Sequence, residues 1–320
     1  MAGLSTPAQI SNTPAMLDTK TLLEANAKIE QQIKDYETQQ LNDGKTTETT
    51  ISRTRMLKQV AKVANLDEPE QVKEWLRKAE WQNSTKTRFI DIYTGFLTFT
   101  HRKWNPPRYT PNAKLPFIPT EEEIDALISG SAKTISTTLQ TLKETAMRIG
   151  ELTYLKWQDI DAPHKTINIT PEKGSNPRIL PISDKLIGML NALRRIHGDN
   201  VFNRHKQALR ENFDDQRKRI AEKLNNPRLT QISFHTFRHW KATMEYHSTK
   251  DIMHVKQMLG HKSINSTMIY ITLESGIYLQ TDENFTCRIA HNEQEEAELI
   301  EAGFQHINNR DNLAFYRKRK

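Results

Sequence analysis

Residues 235–239 read His-Thr-Phe-Arg-His, and three more short segments of chemically distinctive residues lie around them in the chain. Downstream, Leu259-Gly260-His261 is followed nine positions later by Tyr270. Upstream, residues 145–152 read Thr-Ala-Met-Arg-Ile-Gly-Glu-Leu, and Lys173-Gly174 stands at a turn. Each segment alone has an ordinary explanation, such as a solvated arginine, a tight turn or a core tyrosine. Their order and spacing together therefore decide how the chain is interpreted.

Taken together, the four segments resemble the tyrosine recombinase, or phage integrase, family. The family pattern is Arg-x-Gly/Ser-Glu-Leu, a lysine on a hairpin, His-x-x-Arg-His, Leu-Gly-His, and a tyrosine nine residues further on. This chain contains every part of the pattern in that order, and the resemblance covers about residues 120–272. The segment Phe237–Thr243 and the basic end of the chain are most similar to archaeal integrases of mobile elements.

The resemblance implies that Tyr270 attacks a DNA phosphate and forms a 3′-phosphotyrosyl bond. Arg148 and Arg238 are the residues that match the family's phosphate clamp. Guanidinium groups suit that role because they bind phosphate oxygens through bidentate, charge-assisted hydrogen bonds. Glu151 lies one turn beyond Arg148, so we expect it to orient the arginine rather than to react.

The resemblance also assigns the proton transfers. His235 matches the acid/base group, and His261 matches a hydrogen-bond donor to the phosphate. Lys173 matches the general acid that protonates the departing 5′ oxygen. The phosphotyrosyl bond conserves the energy of the broken bond, so we expect neither a cofactor nor a metal ion. The sequence also lacks a Gly-x-x-x-x-Gly-Lys-Ser/Thr loop for nucleotide binding.

Composition and periodicity predict how the chain is organised. Residues 1–16, rich in Ala, Ser, Thr and Pro, are expected to be disordered, and residues 17–105 to form a helical core-binding domain that contacts DNA. Five prolines within 106–119 predict a linker, because proline disfavours helix. Residues 120–275 then form the catalytic domain and 276–320 a β-α-β tail. The predicted fold is mainly α with a small antiparallel β-sheet, arranged by family resemblance as a two-domain C-shaped DNA clamp.

Local patterns place three elements in the catalytic domain. A helix is expected to start at Thr120, with acidic residues in its first turn. Alternating apolar residues on both sides of a Gly-Ser-Asn-Pro turn predict a β-hairpin over residues 166–182. A short helix is expected near residues 263–271, with Tyr270 within it or directly after it.

The formal net charge of +7 over 320 residues favours a polyanionic partner, which we take to be double-stranded DNA carrying specific sites. The family resemblance implies a tetramer on DNA and leaves room for accessory DNA-bending proteins. The single cysteine, Cys287, indicates a reducing compartment. We find neither a secretory signal nor an apolar run long enough for a membrane span, so a cytoplasmic, nucleoid-associated location is expected.

Several other interpretations remain open at this point. His235 and His239 are spaced to grip a metal ion from one helix, but no glutamate stands at the general-base position of a His-Glu-x-x-His motif. A non-catalytic DNA-binding protein would fit the charge, but not the coincidence of the segments. A type IB topoisomerase shares the chemistry. Within the recombinases, resolution of chromosome dimers competes with integration or excision of a mobile element.

Overall fold

The computed structural model describes residues 19–112, 114–172, 174–193, 198–203, 205–278, 285–310 and 313–319. The expectation of disorder at 1–16 and the position of Lys173 lie outside these residues. The chain divides into two compact units between Lys114 and Leu115. Within the described residues, we find no helix with the length and apolar character needed to cross a membrane.

The described part of the first unit contains four helices: α1 (Thr19–Asn42), α2 (Thr47–Ala61), α3 (Pro69–Lys78) and α4 (Asn83–Phe99). Aromatic side chains dominate its core. Phe89 and Tyr93 stack with ring centroids 5.7 Å apart, and Tyr36 meets Phe96 edge-on at the same distance. The Tyr93 hydroxyl donates to the Leu66 carbonyl at 2.8 Å, so this buried polar group is satisfied.

The second unit carries the segments singled out from the sequence. Its described helices are α5 (Glu121–Gly130), α6 (Lys133–Thr145), α7 (Ile149–Thr153), α8 (Asp184–Asn191), α9 (Lys206–Lys223), α10 (Phe234–Thr249), α11 (Ile252–Leu259) and α12 (Ile269–Tyr278). Short 3-10 helices lie at Trp157–Asp159, Pro227–Gln231 and Ile264–Ser266. Thr120 caps α5 in a reciprocal capping box with Glu123, which confirms the predicted helix start.

A small antiparallel sheet follows α7. Its strands are β1 (Ile160–Asp161), β2 (Thr166–Ile169) and β3 (Arg178–Pro181), in that order across the sheet. Ile167 lies opposite Leu180, so β2 and β3 form the predicted hairpin. The two-residue strand β1 was not predicted, because so short a segment shows no alternation of apolar and polar residues.

Helix α10 runs through the core of the second unit and packs against α6, α11 and α12. Its apolar side is almost fully buried, with Phe237 and Ala242 at 0% exposure and Trp240 at 5%. The side chains of α10 therefore have well-defined positions relative to the other segments, which is what a precise site requires.

Helix α12 extends further than the sequence indicated, to Tyr278 instead of Ile271. The extra turns are held by burial of Leu273 and by Glu274, whose carboxylate accepts a hydrogen bond at 2.8 Å from His247 Nδ1 when that nitrogen is protonated. Lys250 also pairs with this carboxylate. Because these partners belong to α10 and its C-cap, the position of α12 depends on a tertiary contact that helical periodicity does not show.

The tail forms β4 (Phe285–Ala290), α13 (Glu293–Glu301), β5 (Gln305–Arg310) and β6 (Leu313–Arg319). The tail predicted as β-α-β is therefore β-α-β-β, with its strands in the order β4-β6-β5. Helix α13 covers one face through a small cluster of its own: Ala290, Ala314 and Tyr316, with Leu299 and Phe304 packed against them.

We predict that Gly260→Ala destabilises the second unit, because Gly260 ends α11 with φ +68° and lies against the hairpin turn. An added Cβ would lie 2.8 Å from the Asn176 carbonyl oxygen and 2.9 Å from Ser175 Oγ. Left-handed backbone alone costs a non-glycine residue roughly 1–2 kcal/mol. Chemical denaturation should show a loss of at least about this size.

Gly188→Ala is the matched control, because Gly188 lies within α8 and no atom lies within 4 Å of its added Cβ. It should be neutral or stabilising, since alanine favours helix over glycine by about 1 kcal/mol. Equal unfolding free energies for both variants would contradict the role given to the Gly260 turn.

Candidate active site

The guanidinium group of Arg238 connects three of the sequence segments. Arg238 lies on α10 and is only 2% exposed. Its Nη1 donates to the Ala146 carbonyl oxygen and its Nη2 to the Leu259 carbonyl oxygen, both at 2.7 Å. Ala146 ends α6 in the left-handed conformation, and Leu259 is the last residue of α11. The negative ends of two helices therefore meet one buried cation.

Arg238 remains positively charged although it is buried. Burial, and then the positive charge of Arg148, lower its pKa to about 10, while Tyr270 and Glu151 act in the opposite direction. The side chain is therefore protonated at neutral pH, and it has further N–H donors beyond the two that bind the carbonyl oxygens. A buried cation with spare donors is suited to receive an anion.

Arg148, the second arginine, is the N-cap residue of α7, directly after the turn at Ala146 and Met147. Its Nη1 donates to Glu151 Oε1 at 3.2 Å and to Ser175 Oγ at 2.9 Å, while its backbone N–H donates to Glu151 Oε2 at 2.9 Å. Its side chain is 28% exposed. Glu151 therefore lies where it can fix the direction of this guanidinium, while part of Arg148 remains accessible.

Glu151 also pairs with Arg178, a residue that was not predicted. Arg178 lies on β3, and its Nη2 is 2.6 Å from Glu151 Oε2. Burial alone would raise the pKa of Glu151, but the hydrogen bond and charge of Arg178, with the Arg148 amide, hold it below its usual range. The signal for Arg178 was the period of the strand, which places it on the buried face with Leu180.

The hairpin turn is attached to this arginine network on both sides of Lys173, which itself lies outside the described residues. On one side, Ser175 Oγ accepts from Arg148 and donates to the Gly260 carbonyl oxygen at 2.7 Å. On the other side, the Glu172 carboxylate lies against Gly150, where an added Cβ would be 1.7 Å from Oε2. The glycine at position 150 is therefore required for this approach.

His261 follows Gly260 and hydrogen-bonds through Nδ1 with Oγ1 of the buried Thr267, at 3.0 Å. Burial and the charges of Arg238, Arg148 and others lower its pKa to about 4, so the imidazole is neutral at pH 7. When Thr267 donates to Nδ1, the other ring nitrogen carries the proton and can donate it to an anion. Thr267 was not predicted, because nothing in the spacing distinguishes it.

His235 and His239 lie one turn apart on α10, with their rings edge to face and their centroids 4.5 Å apart. His235 as a whole is exposed, yet the protein around its ring, together with Arg238 and Arg148, lowers its pKa. His239 is half-buried, and burial, then the charges of His235 and Arg238, lower its pKa to about 4. The positive charge of Arg238 therefore disfavours protonation of both imidazole rings.

Tyr270 lies near the start of α12 and is 2% exposed. Its hydroxyl is 3.3 Å from His239 Nδ1, so the histidine bonded to the tyrosine is not His235, to which the family pattern gives the acid/base role. Burial raises the pKa of Tyr270, although the charges of Arg238 and Arg148 oppose this. The hydroxyl is therefore protonated at neutral pH, and any reaction at this oxygen would require an acceptor for its proton.

A cleft of about 620 Å³ opens beside these groups in the second unit. Its basic lining residues are Arg148, His235, Lys206, Arg210 and Arg217, against the acidic Glu172 and Asp214. A concave surface with this balance of charge attracts polyanions. Among the described residues, no group of three or more His, Cys, Asp or Glu side chains is placed to hold a metal ion.

Residues 119–275 match the model of the phage integrase family. Tyrosine recombinase XerC of Roseiflexus sp. (strain RS-1) is 27% identical over 225 residues, which are 61% of this chain and 70% of that protein. XerC of Herpetosiphon aurantiacus is 32% identical over 156 residues, which are 45% of this chain and only half the length of that relative.

Among solved structures, a lambda integrase dimer bound to a COC′ core site is similar with a TM-score of 0.56 at 15% sequence identity. The match covers 80% of this chain and 81% of that one, and it shows that the two share a fold of core-binding helices and an integrase catalytic domain. Residues 119–275 thus match the phage integrase family of tyrosine recombinases, which are DNA strand transferases.

Proposed function

We propose that this protein is a site-specific DNA recombinase that cleaves and rejoins DNA strands through a 3′-phosphotyrosyl bond on Tyr270. The observation that carries the proposal is the pair of hydrogen bonds from Arg238 to Ala146 and Leu259. These bonds join three chain segments, whose side chains then surround a place suited to one phosphate. Double-stranded DNA with specific sites is the proposed substrate, and no cofactor is needed.

In the proposed reaction, Arg148, Arg238 and His261 bind the non-bridging oxygens of the scissile phosphate. Their charge is fixed before the reaction begins, so it stabilises the additional charge that develops in the transition state. Arg148 and His235 are the accessible groups that meet the backbone first, and Arg238 and Tyr270 lie behind them. DNA binding therefore has to open a path to the buried pair.

The covalent step forms the bond between Tyr270 Oη and phosphorus and breaks the bond from phosphorus to the 5′ oxygen. We assign the proton for that oxygen to Lys173, and we assign removal of the proton from the Tyr270 hydroxyl to the acid/base group His235. The attachment of Glu172 and Ser175 beside Arg148 supports the assignment of Lys173. Rejoining is the reverse reaction, with a 5′ hydroxyl attacking the phosphotyrosine.

The biological reaction we favour is integration or excision of a mobile element, because residues 237–243 and the basic tail resemble archaeal integrases of such elements. Resolution of chromosome dimers is the second candidate, and the Xer names of the similar proteins favour it. Sequencing DNA captured covalently from host genomic fragments distinguishes them. For an integrase, the captured fragments should contain the ends of the mobile element and a chromosomal target that share a common core sequence. For a dimer resolvase, they should contain one chromosomal site.

We propose that residues 17–105 and residues 120–275 both bind the DNA, with 106–119 as the linker that connects them. Four protomers then hold two duplexes. The lambda integrase dimer bound to its core site supports an assembly of more than one protomer on DNA. Much of the affinity should come from phosphate contacts and should therefore fall as salt rises.

We predict that Tyr270→Phe abolishes covalent capture of DNA without abolishing DNA binding. The substitution removes one oxygen and little volume, and it leaves the arginines in place. A pool of nicked duplexes with randomised sequence serves as the substrate, and denaturing gels detect protein–DNA adducts. Tyr278→Phe, on the same helix α12, is the control and should still form the adduct. An adduct that persists in Tyr270→Phe would falsify the assignment of the nucleophile.

Lys173→Ala should slow strand cleavage by about 10²–10⁴, the usual contribution of a positioned general acid. A substrate with a 5′ thiolate leaving group hardly needs a proton, so it should restore the rate of this variant. Lys165→Ala is the control, because Lys165 pairs with Asp184 outside the site. If the deficit of Lys173→Ala remains unchanged with the thiolate substrate, Lys173 is not the acid.

Removing residues 285–320 should leave cleavage of a half-site close to the wild-type rate while weakening complete recombination. The reason is that the tail packs its own small cluster around Tyr316, apart from the main core of the second unit. The tail is proposed to contact a neighbouring protomer or DNA in the assembly. Cleavage and recombination assays on the same DNA test this, and equal recombination with and without the tail would contradict it.

A further inference from the structure

We propose that His239 is a catalytic residue, whose Nδ1 takes the proton of the Tyr270 hydroxyl during cleavage and returns it during rejoining. The inference rests on the proposed function and changes one assignment in it. The base for the nucleophile becomes His239, and His235 is left to act at the exposed, phosphate-facing end of the cleft.

Direct contact is the first argument. Tyr270 Oη lies 3.3 Å from His239 Nδ1, and the two ring centroids are 5.9 Å apart. His235 belongs to the same helix but lies one turn earlier. His235 is exposed, whereas Tyr270 is buried. A group that takes a proton has to lie within hydrogen-bond reach of it, and His239 meets that condition before DNA has bound.

The protonation states are the second argument. Above its lowered pKa of about 4, His239 is neutral, so its Nδ1 can accept a hydrogen bond at physiological pH. The pKa of Tyr270 is raised, so its hydroxyl still carries the proton that has to leave. The groups facing the imidazole are His235 and Arg238 from its own helix and Tyr270 from α12.

The transfer takes place in the transition state and not before it. As the bond from Oη to phosphorus forms, the tyrosine oxygen becomes strongly acidic, and its proton moves to His239 Nδ1. The incoming phosphate also adds negative charge near the imidazole, which favours its protonated form. The 5′ oxygen leaves with a proton from the general acid, so the step is balanced. During rejoining, the imidazolium returns its proton to the departing tyrosine.

A positioning role is the alternative, and His239→Gln separates the two. Glutamine keeps a side-chain acceptor for the hydroxyl but cannot take its proton. We expect His239→Gln to slow single-turnover cleavage by about 10²–10⁴. His239→Ala should slow it similarly, and added imidazole should restore part of its rate. His254→Gln is the control, because His254 is exposed and pairs with Glu245 away from the tyrosine.

The pH dependence of cleavage is the readout that a purely structural role would not change. Because the neutral form is the base and its pKa is depressed, the wild-type rate should stay nearly level from about pH 6 to 8. Without the base, cleavage depends on ionised Tyr270, whose fraction rises about tenfold per pH unit below its pKa. The His239→Gln rate should therefore climb steeply over the same range.

The experiment uses the full chain and a nicked duplex selected by wild-type capture from the randomised pool. If the wild-type protein forms no adduct with any duplex, the proposed function fails. If it forms the adduct but His239→Gln cleaves at the wild-type rate with a level pH profile, only the role of His239 fails. A wild-type cleavage rate that rises about tenfold per pH unit would also overturn that role. This measurement remains informative if His239→Gln and His239→Ala fail to fold.

Discussion

A buried positive charge at the ends of two helices is the interaction on which this site depends. The carbonyl oxygens of Ala146 and Leu259 stand at helix C-termini, where their own helices supply no N–H donor, and Arg238 donates to both. This contact also supports Ala146 in a left-handed conformation, which is unfavourable by roughly 1–2 kcal/mol for a residue with a side chain. Arg148 and His261 lie two residues beyond these carbonyls, so one guanidinium sets the positions of both.

The same interaction explains why the site suits an anion. Burial keeps water away from Arg238, and its remaining donors have no mobile solvent to reorganise when charge develops nearby. Lysine could not replace it, because a single ammonium group cannot reach two carbonyl oxygens and still present a planar pair of donors. Around this centre, Glu151 and Arg178 hold Arg148, and Glu274 holds the helix that carries Tyr270. The residues of the proposed active site therefore lie on helices and strands that ion pairs hold in place.

Much of this arrangement could be predicted from the sequence. The four segments identified the family of the catalytic segment, and local rules gave the hairpin and the capped start of α5, because capping and strand alternation act over a few residues. Arg178 and Thr267 were missed because their roles arise from contacts between elements distant in the chain. The hydrogen bond between Tyr270 and His239 was not predicted for the same reason: His235 and His239 share one face of α10, and only the packing of α12 brings Tyr270 to His239.

The most direct test of the account is whether the two arginines act on the charge of the scissile phosphate. Arg148→Ala and Arg238→Gln should be assayed on a phosphate substrate and on one carrying a neutral methylphosphonate at the cleavage position, after circular dichroism has shown that both variants fold. If the arginines neutralise phosphate charge, the loss in cleavage rate relative to wild type should be much smaller on the methylphosphonate than on the phosphate. An equal loss on both substrates would contradict the account, because the arginines would then support structure alone.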